Sequence, residues 1–195
     1  MRRDPRSEDS ESEDETMEDS IRVIGNEILF YGDVSAENAL EFVDKFKRLE
    51  IDLLKKKAEL YGYEPEIRIH IMSSGGCVFS GMNMMNVLEK SRVKVTTIAQ
   101  GNCASAATFV LLGGSRRLMG ANAYVLIHQI STGFWGKFQE LKEEMKSSEQ
   151  LMKMIKRMYL SKTKIPENKF KKLMKKDLYL DVHQCVKYKI VDGIE

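Results

Sequence analysis

Hydrophobic and polar positions alternate along this chain with two different periods, which predict strands and helices in turn. Residues 66–72 carry isoleucine at every second position, and this period of two predicts a half-buried strand. Residues 35–60 carry apolar side chains three or four positions apart and predict a helix with Ser35 as its N-cap. The same spacing over residues 134–163 predicts the longest helix, whose apolar stripe needs a wide partner surface.

Shorter runs predict the remaining elements, which alternate in the same way. They are two strands around the turn Gly25-Asn26, a helix over 80–90, strands over 93–100, 116–119 and 124–128, helices over 167–176 and 182–187, and a closing strand at 190–191. Strands that alternate with helices in this order predict an α/β domain with a mainly parallel sheet over residues 21–195.

Ser105 lies where the predicted strand over 93–100 gives way to an apolar helix. The residues around it, from Gly101 to Ala107, are all small, so no bulky neighbour crowds its hydroxyl. Because a helix start leaves backbone N–H groups unpaired, the amide of Ala106 is placed to stabilise an oxyanion formed by attack of Ser105. From this stretch alone, an ordinary N-cap at a tight strand–helix junction is the more frequent explanation.

Two further features follow predicted strands. The pair Gly75-Gly76 comes after the strand over 66–72, where it permits a sharp turn and exposes backbone N–H groups. His128 ends the apolar strand over 124–128, at the edge of the sheet where α/β proteins bind ligands. Each has a plain alternative, a turn for the glycines and a structural role for the histidine.

Charge is distributed unevenly between the start of the chain and the rest. Residues 1–20 contain nine acidic and three basic side chains and almost no apolar ones, so they predict an acidic, disordered N-terminal tail with a net charge of −6. The remainder carries +8, with lysines concentrated over 153–176. Those lysines fall on predicted helices whose solvent-facing sides need charge, so no nucleic-acid partner is expected.

Hydrophobic content, cysteines and the length of apolar runs predict the size of the domain and its cellular location. The 195 residues are 43% hydrophobic, which is enough for one domain with a sizeable core. Three cysteines without paired metal spacing indicate a reduced intracellular environment, and neither a metal nor another cofactor is expected. No run approaches the ~18 apolar residues of a membrane span, so we expect a cytoplasmic protein without a membrane partner.

Four segments resemble the proteolytic subunit of the Clp protease (ClpP), in the family's order and at family-like separations. They are Ser73–Met82, Gly101–Ala107, Leu126–Gln129, and Asp177–Leu180 continuing to Tyr188–Asp192. Each segment is a modest indication by itself, but their combination is specific. The resemblance extends over nearly all of the chain beyond the acidic tail.

The resemblance implies a role for each matching position. Ser105 corresponds to the nucleophile, His128 to the general base and Asp177 to the acid that orients the histidine. Gly76 and Ala106 correspond to the two backbone donors of the oxyanion hole. A further pair of positions, Val78 and Ser131, lies in segments that resemble the strand edges between which a substrate peptide binds.

The family also implies a fold and a way of working. The fold is ClpP/crotonase-like, with a mainly parallel sheet, flanking helices and a long protruding handle helix. The implied activity is a serine endopeptidase that cleaves unfolded polypeptides inside a homo-oligomer of stacked rings. The expected partner is an ATP-dependent (AAA+) unfoldase.

The chain departs from the family at several positions, which predicts a divergent member, with a viral origin as one option. Ser74 and Ile130 replace family prolines, Lys176 replaces an arginine, and the acidic tail replaces the segment that gates the axial pore. One alternative is therefore a processing protease that works without an unfoldase, for example in viral capsid maturation. Acyl-CoA enzymes of the crotonase type are disfavoured because they need no Ser-His-Asp set, and the same set disfavours a catalytically silent ring subunit.

Overall fold

A computed structural model describes residues 20–195, so the predicted acidic tail lies outside the described residues, apart from Ser20. Within residues 20–195 the strands are β1 (Ile21–Ile24), β2 (Glu27–Tyr31), β3 (Glu66–Ser73), β4 (Lys94–Ala104), β5 (Arg116–Met119), β6 (Tyr124–Leu126), β7 (Tyr179–Leu180) and β8 (Gly193–Ile194). The helices of the same part are α1 (Ala36–Glu59), α2 (Val78–Glu89), α3 (Ala107–Leu112), α4 (Phe138–Lys162), α5 (Glu167–Leu173) and α6 (Val182–Lys187).

The strands form one sheet in the order β1-β2-β3-β4-β5-β8, with β6 paired to β4 and β7 paired to β6. The pairs β1–β2 and β6–β7 are antiparallel, and the other pairs are parallel. Parallel neighbours require helical crossovers, and α1, α2 and α3 supply them. The predicted α/β fold with a mainly parallel sheet is confirmed.

Strand β4 is longer than predicted because it passes through Gly101 instead of ending there. Its first part pairs with β5 as far as Ala99, and its last part, from Asn102 to Ala104, pairs with β6. Gly101 lies between the two parts with a φ of +58°, a left-handed conformation that glycine adopts without steric cost. A glycine that marks a bulge within a strand therefore looks, in the sequence, like the end of the strand.

Helix α1 begins and packs as its sequence predicts. The Ser35 hydroxyl caps it by accepting a hydrogen bond of 3.0 Å from the amide of Asn38. Phe42 and Phe46 are fully buried with stacked rings 6.1 Å apart, and Phe42 meets Phe30 of β2 edge to face at 5.9 Å. This aromatic cluster fixes α1 against the sheet.

Helix α4 begins at Phe138, four residues later than predicted, and only its C-terminal half packs on the domain. Of its predicted apolar stripe, Ile155 and Tyr159 are buried, while Phe138 and Met145 are exposed. The N-terminal half thus extends from the domain as a handle with uncovered apolar side chains. None of the helices within residues 20–195 combines the length and apolar character that crossing a bilayer requires.

Other boundaries also differ from the prediction. Helix α2 begins at Val78 instead of residue 80, β6 ends before His128, and α5 ends at Leu173. The predicted closing strand at 190–191 is wrong, because both residues are buried in the turn that follows α6 and their amides donate to the Cys185 carbonyl. The closing strand is β8, three residues later, where the chain reaches β5.

Candidate active site

Segments that follow the carboxyl ends of β3, β4 and β6 meet around a cavity of about 210 Å³. Parallel strands end at the same edge of a sheet, so residues far apart in sequence come together there. Six of the seven predicted site residues line this cavity: Gly76, Val78, Ser105, Ala106, His128 and Ser131. Asp177, the seventh, lies beyond the cavity next to His128.

Ser105 occupies the turn between β4 and α3 in a left-handed conformation, with a φ of +54°. A non-glycine residue in this region costs about 1–2 kcal/mol, so the surrounding structure must hold it. Its amide donates to the Leu126 carbonyl at 2.9 Å. Its carbonyl accepts from the Thr108 amide at 3.0 Å and from the Thr108 hydroxyl at 2.5 Å. These bonds fix the backbone on both sides of the side chain.

The glycine pair is required by close approach as well as by backbone conformation. Gly75 has a φ of +96°, and a Cβ atom there would lie 2.6 Å from Ser105 Cβ. A Cβ atom on Gly76 would lie 2.6 Å from the Val34 carbonyl oxygen. Contacts this short are not tolerated, so a side chain at Gly75 would force the loop away from Ser105, and one at Gly76 would force it away from Val34.

Two backbone amides beside Ser105 are left without a partner. Val34 and Gly76 form a parallel bridge in which the Val34 amide donates to Gly75 at 2.8 Å and the Cys77 amide donates to Val34 at 2.7 Å. This bridge does not use the Gly76 amide. Within residues 20–195, neither that amide nor the Ala106 amide donates a hydrogen bond. Since both residues line the cavity, an oxygen bound between them has two donors available.

His128 shares the cavity with Ser105 and lies close to Asp177. Its Nδ1 atom is 3.8 Å from Asp177 Oδ1, and the carboxylate is 77% exposed. Ser105 lines the same cavity, although the hydrogen bonds within residues 20–195 do not include one between its hydroxyl and the His128 ring. Catalytic hydrogen bonds are often long in free enzymes and shorten when substrate binds. Within the described residues, the three side chains therefore come to one region of the protomer without a continuous series of hydrogen bonds between them.

The apolar end of the cavity includes residues to which the sequence assigned no role in the site. Phe109 of α3 and Ile155 and Tyr159 of α4 line it. The two α4 residues belong to the apolar stripe for which the sequence predicts packing in the core or burial between subunits. Thr108, directly beneath Ser105, was also missed, although a single hydroxyl in the apolar run from Ala106 to Leu112 was an available indication.

Comparison with known proteins identifies the family. The family model described as Clp protease matches residues 20–195, which is nearly the entire chain. The chain belongs to the Clp protease family. The resemblance inferred from four short segments is thereby confirmed. The cavity described above is now the candidate active site of a Clp-family protein.

Curated Clp relatives are moderately similar over part of their length. The ATP-dependent Clp protease proteolytic subunit of Mesostigma viride is 33% identical over 128 residues, which cover 65% of this chain and 56% of that protein. The subunit of Deinococcus radiodurans is 27% identical over 133 residues, which cover 67% of this chain and 65% of that protein. The chain thus spans little more than half of the Mesostigma relative.

Solved structures show the same fold. ClpP1 from Listeria monocytogenes superposes with a TM-score of 0.72 at 22% identity, covering 88% of this chain and 91% of that chain. A point mutant of the same ClpP1 gives a TM-score of 0.74 at 23% identity, with the same coverage of both chains. The predicted ClpP-type fold, including its flanking helices and long handle helix, is confirmed.

Proposed function

We propose that this Clp-family chain is a serine endopeptidase in which Ser105, His128 and Asp177 form the catalytic triad. The observation that supports it best is the shared cavity, where a serine, a histidine and two free amides meet from three distant segments. Belonging to the Clp family gives this arrangement a chemical precedent. No cofactor is needed, because a serine hydroxyl activated by an imidazole supplies the nucleophile.

The proposed reaction uses each group once in each half of the cycle. Ser105 Oγ attacks the peptide carbonyl carbon while His128 takes the hydroxyl proton, and the carbonyl oxygen becomes an oxyanion. The amides of Gly76 and Ala106 donate to that oxyanion. His128 then gives its proton to the leaving amine, which breaks the peptide bond and leaves an acyl-enzyme. Water hydrolyses this ester by the same steps, while Asp177 orients and stabilises the imidazolium.

The substrate is proposed to be an extended, unfolded polypeptide. Val78 and Ser131 both line the cavity, and they belong to the parts of the chain that follow β3 and β6. An extended peptide between such edges is held mainly by backbone hydrogen bonds, which every sequence can supply. Selectivity then depends on access to the cavity more than on side-chain contacts.

The working form is proposed to be a homo-oligomer of stacked rings. Two features of the single protomer support it: the exposed apolar surface on the N-terminal half of α4, and the exposure of Asp177. Large uncovered apolar patches mark interaction surfaces, and a neighbouring subunit is the partner that is always present. An ATP-dependent unfoldase is the proposed source of unfolded chains, because curated relatives are named as subunits of an ATP-dependent protease.

Covalent labelling with a fluorophosphonate probe tests the proposed chemistry. The wild-type protein should be labelled on Ser105, and Ser105→Ala should remove labelling and peptide hydrolysis while the fold is retained. His128→Ala should lose nearly as much, since triad members act as a unit. Ser161→Ala is the matched control, because it removes an exposed hydroxyl that bonds only within α4. Full labelling of the Ser105→Ala protein would overturn the assignment.

A further inference from the structure

A buried chain of hydroxyl groups connects α4 to the backbone of Ser105. The Tyr159 hydroxyl is hydrogen-bonded to Thr108 Oγ1, and Thr108 Oγ1 is 2.5 Å from the Ser105 carbonyl oxygen. Tyr159 is 2% exposed and Thr108 is fully buried. Burying two hydroxyls costs free energy unless both are bonded, so this pairing is a defined feature of the core.

The direction of each hydrogen bond in this chain follows from its chemistry. The Ser105 carbonyl can only accept, so the single proton of the Thr108 hydroxyl points to it. The Tyr159 hydroxyl must then be the donor to Thr108. Burial raises the pKa of Tyr159, which keeps its phenol protonated and able to donate. A protonated Tyr159 therefore donates to Thr108, and Thr108 donates to the Ser105 carbonyl.

The two hydroxyl groups act on the peptide group that joins Ser105 to Ala106. A trans peptide group is planar, and its C=O and N–H bonds point in opposite directions. The Thr108 amide and hydroxyl donate to the Ser105 carbonyl and hold it towards the core. The Ala106 N–H, on the other side of the same peptide group, therefore points away from the core. Ala106 lines the cavity, and its amide is one of the two proposed oxyanion donors.

We propose that Tyr159 and Thr108 form a positioning pair that aims the Ala106 amide at the oxyanion. This inference rests on the proposed peptidase function and assigns it two further residues, neither of which is a catalytic residue. It also makes the oxyanion hole depend on the position of α4. Tyr159 is fixed in α4 with its ring 5.9 Å from Phe109 and 5.5 Å from Phe170.

Four variants test the pair by the rate constant of fluorophosphonate labelling at saturating probe. Tyr159→Phe and Thr108→Val each remove one hydroxyl and keep the side-chain shape, and each should slow labelling about tenfold. This is part of the hundredfold or more that loss of a complete oxyanion donor costs. Thr108→Ser keeps the hydroxyl and should label at nearly the wild-type rate. The double variant Tyr159→Phe/Thr108→Val should be no slower than Thr108→Val alone.

Hydrolysis of a short peptide substrate supplies a second readout. Because the oxyanion forms after substrate binds, kcat should fall in Tyr159→Phe and Thr108→Val while KM stays unchanged. Thr97→Val is the matched control: its buried hydroxyl donates at 2.7 Å to the Leu111 carbonyl, at the other end of α3. It should lower the midpoint of urea unfolding as Thr108→Val does, without slowing labelling.

Several outcomes would overturn the positioning pair without touching the proposed function. One is a labelling rate constant of Tyr159→Phe equal to that of the wild type, and another is slowing by Thr97→Val as large as that by Thr108→Val. A third is a double variant whose labelling is slowed by the product of the two single effects. A change in KM with unchanged kcat would also overturn it, by assigning Tyr159 to substrate contact. Failure of the proposed function itself is a different result, namely labelling that persists in Ser105→Ala.

Discussion

Cys77 lies between the proposed oxyanion donor Gly76 and the cavity residue Val78, and it is the exposed member of the three cysteines. Hydrogen bonds with Ser80 lower the pKa of the Cys77 thiol below its ordinary value. Burial has the opposite effect on the other two: it raises the pKa of Cys103, and it raises that of Cys185 to about 12. Since the thiolate is the reactive form, the three thiols should react very differently.

We expect iodoacetamide to alkylate one thiol of the folded protein, at Cys77. The rate should rise with pH and reach half its maximum below the pH found for a free cysteine, because the lowered pKa gives more thiolate at each pH. Intact-mass measurement across a pH series checks both points, and Cys77→Ser should remove the modification. Alkylation of Cys103 or Cys185 in the native protein would contradict this account.

A site residue can be recognised in the sequence when the residues that it contacts are close to it along the chain. Ser105 and the glycines Gly75 and Gly76 stand out locally, because close backbone approach demands small residues at adjacent positions. The Tyr159–Thr108 pair joins residues 51 positions apart. No period or spacing encodes that contact, so Tyr159 reads only as one more member of an apolar helical stripe. Pairing of side chains across elements needs the packed structure.

Helix α1 is tied to the start of β4 through a buried carboxylate, Glu50, which is 1% exposed. It accepts from Lys47 Nζ at 2.8 Å, from the Arg92 amide at 2.6 Å and from the Ser91 hydroxyl at 3.0 Å. Burial by itself raises the pKa of Glu50, but these hydrogen bonds outweigh it, and the net pKa is lowered. The charged form is therefore stabilised by folding.

Glu50→Gln should lower the free energy of unfolding at pH 7 by about 2 kcal/mol, the range of hydrogen bonds to a buried charge. A lowered pKa in the folded state gives stability that is complete above the unfolded-state pKa of about 4.3. That stability is lost as the pH falls through the folded-state pKa, so the difference between the variant and the wild type should shrink as the pH falls below about 4.3. Urea unfolding from pH 3 to 7 measures the difference.

Asp52→Asn is the matched control for this experiment, because it removes a charge from the exposed side of the same helix. Asp52 pairs with Lys55 at 3.2 Å, and both side chains are more than 60% exposed. Exposed pairs contribute little to stability, so the change should stay below about 0.5 kcal/mol. An equal effect of both substitutions would show that Glu50 acts only through the net charge of α1.

Periodicity predicted the identity and order of most elements, but their ends depend on contacts that it does not contain. The period of β3 and the cap of α1 at Ser35 are local and were correct. The extension of β4 through Gly101 depends on β6, which offers a second pairing partner. The start of α4 at Phe138 was missed because apolar residues continue upstream without forming helix.

The proposed assembly bears on the parts of the molecule that are exposed in the single protomer. Phe138 and Met145 are 74% and 65% exposed on the N-terminal half of α4, and Asp177 is 77% exposed beside His128. The N-terminal half of α4 and the proposed catalytic acid therefore have few contacts within the protomer. In the proposed rings, both would gain contacts from neighbouring subunits.

Met145→Glu should split the oligomer and lower peptidase activity together. A charge placed in an apolar interface must be desolvated without a partner, which costs several kcal/mol for each buried charge. Native mass spectrometry and peptide hydrolysis on the same sample check the expected result. Gln150→Glu adds the same charge at another exposed position of α4 and should leave both unchanged. A fully active Met145→Glu monomer would contradict oligomeric control.

The contacts that hold Ser105 come from much of the chain, and this has a consequence for protein synthesis. Gly75 lies against Ser105, Val34 fixes the glycine loop, and Leu126 and Tyr159 hold the Ser105 backbone directly or through Thr108. A chain leaving the ribosome exposes these partners one after another, N-terminal residues first. The turn that carries Ser105, the proposed nucleophile, therefore gains all of these contacts only after Tyr159 has emerged. The proposed active site is therefore incomplete in any nascent chain that ends before Tyr159.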